Sequence, residues 1–191
     1  MKWLLTITIA VMLCGCSSSA AQASQLAKDE VTRSVETQQI VASKNIFNHP
    51  VMSKSTSFAE YAESVENKEK LNKVVIRLIH RVGKTPYVPQ GSSIYGWDCS
   101  GMVRWAYEQI GVEVPHSATA QAYIGHRVKT PQVGDIVIFG YKGYKSFYHS
   151  AIYIGKNKVI NANRGFGGTY IQPLSDYKNN RVVYVRAVPL P

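Results

Sequence analysis

A chain of 191 residues has room for one compact domain and some additional segment, since a domain usually takes about 100–200 residues. Its formal charge of +10 is unevenly spread: residues 17–70 carry 6 Lys and Arg against 7 Asp and Glu, and residues 71–191 carry 15 against 5. A field of that sign favours polyanionic surroundings, and charge alone does not choose among polymers, lipid head groups and nucleic acid.

In chain order, the N-terminus reads as a targeting segment, with Lys2 ahead of an apolar run from Trp3 to Leu13. That run is too short to span a bilayer, which takes about 20 residues. It ends in Leu13-Cys14-Gly15-Cys16, which resembles the lipobox of bacterial lipoproteins and implies acylation of Cys16. Residues 1–16 are then a signal peptide and the product is exported and anchored in a membrane by lipid, with Ser17 compatible with the outer membrane of a Gram-negative cell. Ala21-Gln22-Ala23 is a competing cleavage site that would release a soluble protein. With Cys14 removed and Cys16 consumed by lipid, Cys99 is the only thiol left, and no intrachain disulfide forms.

Residues 17–65 read as a flexible tether, with a possible short helix from Asp29 to Ala42. The folded domain is expected over residues 66–191. A helical pattern runs from near Ser57 to Val82, with Leu71, Val74, Val75, Leu78, Ile79 and Val82 on one face and Gly83 as its stop. Pro86, Pro89, Gly91 and Gly96 mark a loop. A second helix is expected from Cys99 to Gly111, with Asp98 as its N-cap. Five strands follow, over Asp135–Phe139, Tyr148–Ile154, Lys158–Asn163, Thr169–Pro173 and Arg181–Val188. Helices followed by about five antiparallel strands make an α+β domain.

The chemistry centres on Cys99. A thiolate is the nucleophilic form of cysteine, and a helix N-terminus stabilises that anion. A cysteine on a helix face is ordinarily a small buried hydrophobe, but Asp98-Cys99-Ser100-Gly101 flanks this one with polar and small residues. A cysteine nucleophile needs a base brought close by the fold. Of five histidines, His149 opens an alternating strand that ends in a glycine turn, whereas His49, His80, His116 and His126 do not. A third residue should accept a hydrogen bond from the imidazole. A hairpin about Gly155 would bring Asn161 to His149, with Asn163 and His126 as alternatives.

From about Lys70 onward the chain resembles the NlpC-type cell-wall peptidases, the NlpC and p-sixty family. The resemblance rests on Asp98-Cys99-Ser100-Gly101, Gly134-Asp135-Ile136-Val137-Ile138-Phe139, His149 to Gly155, and Val159-Ile160-Asn161-Ala162, four motifs in the family's order. It implies a papain-like fold and a cysteine peptidase acting on peptidoglycan stem peptides, with Cys99 as nucleophile, His149 as base and Asn161 as third member. Tyr87 matches the tyrosine of the oxyanion hole, Asp98 and Ser100 resemble residues that grip the free amine of the stem peptide, and Ser117 is expected to line the groove. The bond implied is γ-D-glutamyl-diaminopimelate or a diaminopimelate cross-link. Val88-Pro89-Gln90-Gly91 departs from the usual Trp-Gly-Gly, and Asn161 stands where histidine is commonest. A catalytically weak wall-binding lipoprotein and an amidase or acyltransferase on the same fold are the other readings. With no metal-ligand spacing and no nucleotide-binding glycine loop, neither metal nor cofactor is expected. The basic residues lack interleaved aromatics, so nucleic acid is not an expected partner, and the protein is expected to be a monomer.

Overall fold

A computed structural model of the chain describes residues 25–26, 28–34, 36–37 and 58–191. Cys14, Cys16 and His49 lie outside the described residues, as do the signal peptide and most of the segment read as a tether. No helix among the described residues is long and apolar enough to cross a membrane.

The helix α1 covers Phe58–Ile79, and its buried Leu71, Val74, Val75, Leu78 and Ile79 recur at spacings of three and four, the stripe that one packed helix face requires. It starts eight residues before the boundary drawn at residue 66. Its last turn tightens through Arg81 N–H to Leu78 and Val82 N–H to Ile79 (2.8 and 3.1 Å), and Gly83 leaves it at φ +70°. Within the loop that follows, β1 (Ser92–Ser93) and β2 (Gly96–Trp97) form a small antiparallel pair. Helix α2 covers Cys99–Glu108 and the short α3 covers Ala118–Gln121.

The remaining strands are β3 (His126–Val128), β4 (Ile136–Tyr141), β5 (His149–Tyr153), β6 (Lys158–Asn163), β7 (Gly168–Pro173) and β8 (Asn180–Arg186). They make one antiparallel sheet of six strands in the order β3-β8-β4-β5-β6-β7, one more than the five expected. The additional strand is β3, three residues long and largely exposed, with no apolar alternation to announce it. The β5–β6 connection has Lys156 and Asn157 at φ 49° and 54°, the positive values a tight two-residue hairpin needs.

Strand alternation sorts the side chains into two layers. Ile136, Ile138, Ile152, Ile160, Ala162 and Val185 join the α1 and α2 residues in the main core. Val137, Phe139, Ala151, Val159 and Tyr177 form a smaller cluster. Each fully buried aliphatic contributes about 1.5–3 kcal/mol, so the sheet is held chiefly through its helix-covered face. At the start of β4 the Gly134-Asp135 motif acts as a lock. Arg186 donates from Nε and Nη2 to the two Asp135 oxygens (3.0 and 2.9 Å), and the Tyr107 hydroxyl of α2 donates to the Gly134 carbonyl (2.8 Å).

Helical residues 28–34 lie against this domain. Val31, 1% exposed, belongs to the main core, Lys28 donates to the Val82 carbonyl (3.3 Å), and Glu30 pairs with Lys156 and Lys158 (2.9 and 3.6 Å). This stretch of the expected tether is therefore packed on the domain, through one buried valine more than through its exposed ion pairs.

Candidate active site

Cys99 is the first residue of α2, directly after the N-cap. Asp98 is extended (φ −90°, ψ −176°) and its Oδ1 accepts from the Gly101 N–H at 2.7 Å, which ends the loop and starts the helix. The same carboxylate accepts from the Ser100 hydroxyl (3.0 Å) and the Gln90 N–H (3.0 Å), and lies 2.9 Å from His116 Nε2. Burial alone would raise the Asp98 carboxyl, but the Gly101, His116 and Ser100 donors outweigh it and hold the group below its ordinary range. Gly101 has to be glycine, because a Cβ there would run into the Gly91 carbonyl and the His116 ring. The Asp-Cys-Ser-Gly motif is thus a cap, a thiol, a second donor to the cap and a residue small enough to let the loop cross.

Half-buried Cys99 meets two opposed influences. Burial pushes its thiol above the ordinary value, the Ser150 N–H lowers it, the Asp98 charge raises it, and the Ser100 N–H and Ser150 hydroxyl lower it again. The net direction is upward, against the lowering expected from the helix N-terminus alone. The Ser150 hydroxyl is fully buried and has no conventional hydrogen-bond partner among the described residues, and with the Ser150 N–H it favours the thiolate. Sequence reasoning missed Ser150, whose only signal is that it follows His149.

His149 opens β5 and is 9% exposed. Its ring stands between Phe139 and Tyr148, with centroids at 5.6 and 6.3 Å, and stacks at 15° to Tyr177 at 6.0 Å. Burial pushes its pKa down to about 4, against raising effects from Asn161 and the Asp98 charge, so the imidazole is neutral at neutral pH. His149 Nε2 lies 3.1 Å from Asn161 Oδ1, and Asn161 is fully buried on β6. Of the three candidates for this contact the structure pairs Asn161 with the imidazole. Asn163 turns instead to Gln172, and His126 sits on the edge strand β3 opposite Arg186, with β8 and β4 between it and β5.

Tyr87 is held by its N–H on the Gly167 carbonyl (2.8 Å) and a lateral bridge to Trp97, two residues before Cys99. Burial, then the Cys99 and Asp98 charges, raise its phenol, and the Arg164 charge lowers it in part. Ser100 is buried, with its hydroxyl engaged by Asp98 and its carbonyl by Gln121 Nε2 (2.9 Å). Ser117 is exposed and caps α3, accepting from the Ala120 N–H at 3.4 Å. His80 is exposed after α1. Among the described residues no group of three or more His, Cys, Asp or Glu is placed to hold a metal ion. The Cys99 thiol thus meets the N–H of Ser150, the residue after His149, whose neutral imidazole has the Asn161 amide as its partner, and these groups are of the kinds that acyl transfer through a thioester uses.

Comparison with known proteins agrees with this geometry. The chain is 33% identical over 93 residues to the gamma-D-glutamyl-L-lysine dipeptidyl-peptidase of Bacillus cereus, covering 47% of this chain and 28% of that one. It is 28% identical over 82 residues to the peptidoglycan endopeptidase RipA of Mycobacterium tuberculosis, covering 42% and 17%. The chain thus spans under a third of the length of these relatives. The solved NlpC/p60 domain of the peptidoglycan hydrolase SagA matches with a TM-score of 0.51 at 26% identity, over 59% of this chain and 96% of that one, and the papain-like arrangement is shared. A model of the NlpC/P60 family matches residues 83–187, more than half of the chain and the whole of the cluster around Cys99, and the chain belongs to that family.

Proposed function

We propose that the protein is a cysteine peptidase of the bacterial cell wall that hydrolyses amide bonds in peptidoglycan stem peptides. The observation that carries the reading is the Asn161–His149 hydrogen bond, one residue from Ser150, whose N–H meets Cys99 at a capped helix N-terminus. In this mechanism His149 takes the Cys99 proton as sulfur attacks the scissile carbonyl. The Cys99 N–H and Tyr87 hydroxyl hold the oxyanion. The imidazolium, steadied by Asn161, then protonates the leaving amine, and water releases the acyl group from sulfur. In this reading Asp98, held charged by its donors, receives a substrate ammonium, with Ser100 bonded to its carboxylate and Ser117 lining the groove. The γ-D-glutamyl bond named for the Bacillus cereus relative supports a γ-D-glutamyl-diaminopimelate bond as substrate, with a diaminopimelate cross-link as the second candidate. The N-terminal motif through Cys16 supports export and a lipid anchor in a membrane facing the wall.

The test is digestion of purified diaminopimelate-type sacculi, with products identified by mass. Fragments released by the wild type and absent with Cys99→Ala establish the peptidase and name its bond. Wall binding without products from either protein would replace it with a binding module.

A further inference from the structure

Behind Asn161 lies a buried amide network that the chemistry so far leaves unused. Asn161 Nδ2 donates to the Tyr170 carbonyl (3.3 Å) and to Gln172 Oε1 (3.0 Å). Gln172, 8% exposed on β7, also accepts at Oε1 from Asn163 Nδ2 (2.9 Å) and from the Tyr177 hydroxyl (3.1 Å), and its Nε2 donates to Asp176 (3.3 Å). Asn163 Oδ1 in turn accepts from the backbone N–H groups of Gly165 and Phe166 (2.8 and 3.3 Å).

An asparagine or glutamine amide is nearly symmetric in shape, so its direction is set by partners whose own roles cannot change. A backbone N–H only donates. Gly165 and Phe166 therefore claim the Asn163 oxygen, which turns the Asn163 NH₂ to Gln172 and obliges Gln172 to present its oxygen. A backbone carbonyl only accepts, so Tyr170 and the Gln172 oxygen together claim the Asn161 NH₂. The Asn161 oxygen is left for the imidazole, and an acceptor there requires a hydrogen on His149 Nε2. In a neutral ring Nδ1 is then bare.

We propose that Gln172 is a positioning residue of this site: with Asn163 it fixes the direction of the Asn161 amide and so selects the His149 tautomer whose Nδ1 is free to take a proton. The tautomer follows from the hydrogen bonds alone. Its effect on turnover rests on the thiol-peptidase reading above.

Nitrogen-15 NMR of the His149 ring at pH 7 tests this without any substrate. The wild type should show protonated Nε2 and bare Nδ1. Gln172→Met removes the shorter of the two bonds that hold the Asn161 NH₂ and leaves only the one to the Tyr170 carbonyl (3.3 Å), and Asn163→Asp is isosteric but presents only acceptors to Gln172, which drives the amide chain to reverse. Both should populate the Nδ1-protonated ring, while Gln172→Glu, which keeps the accepting oxygens, should restore the wild-type form. On wall substrate the first two should lower kcat at least about tenfold with KM within about twofold, since a wrong tautomer disables the base and not binding. Two different substitutions guard against loss of folding in either one, checked by thermal unfolding. An unchanged Nε2-protonated ring in both would overturn the proposal. Shifted tautomers in the two variants, beside a wild type that releases no wall fragments, would keep it and remove the peptidase reading.

Discussion

At Cys99 the helix N-terminus and the burial of the sulfur work in opposite directions, and Ser150 sits between them. The thiol is raised by burial and pulled back by the Ser150 N–H and hydroxyl, while His149 is kept neutral, down to about 4. Burial therefore opposes the charged forms of both groups, the Cys99 thiolate and the His149 imidazolium. Alkylation of Cys99 by iodoacetamide is expected to rise with pH through and above the ordinary thiol value. Ser150→Ala removes one charge-assisted donor and should slow alkylation about three- to tenfold at a given pH. A midpoint below the ordinary value would mean that the helix dipole outweighs burial. The residue-level arrangement was partly legible beforehand: Cys99 at a helix start, Asp98 as its cap and His149 at the start of a strand stand out by flanks and spacing. Ser150 and Gln172 do not, because their roles depend on partners across the sheet that no local pattern reports.

The elements explain why the motifs contain the residues they do. Gly134 has φ +100°, and a Cβ there would come within 2.8 Å of Leu71 Cδ1 on α1. Gly134→Ala combines a left-handed backbone with overpacking, so a loss of about 2–4 kcal/mol is expected, read as the urea midpoint. Gly143→Ala is the control, since φ is +85° but nothing lies within 4 Å, and it should cost only the backbone part, about 1 kcal/mol. Equal losses would show that α1 yields at Leu71. Element limits were largely readable, because β4 to β8 fall within two residues of the expected strands and α2 begins at Cys99 as expected. The strand β3 was not, since three exposed residues bury no face and take their conformation from pairing with β8, which comes 52 residues after β3 ends.

Over the whole molecule, burial of His149 makes stability depend on pH. Unfolded, the imidazole takes a proton near 6.5, and folded only near about 4. Between those values the unfolded chain binds more protons, so stability is full above about 6.5 and falls as pH drops toward about 4. The loss is at most about 3 kcal/mol. Urea unfolding at pH 7 and pH 4.5 should show it, and His149→Gln should remove this part of the slope; an unchanged slope in His149→Gln would assign the acid sensitivity to other groups. The packing of residues 28–34 through Val31 is a property of the same scale, and composition pointed the other way because a single buried valine leaves no periodic stripe. The two longer helices, the strand-rich second half, the thiol at a helix start and the family motifs could be read from the sequence alone, since each depends on periodicity or on neighbours a few residues away, whereas the four-residue helix Ala118–Gln121 could not. That Asn161 and not His126 meets His149, that burial raises the Cys99 thiol, and which way the Asn161 amide points follow from the folded chain. Those depend on which strands lie side by side and on how far water is excluded between them, and neither is encoded in local spacing.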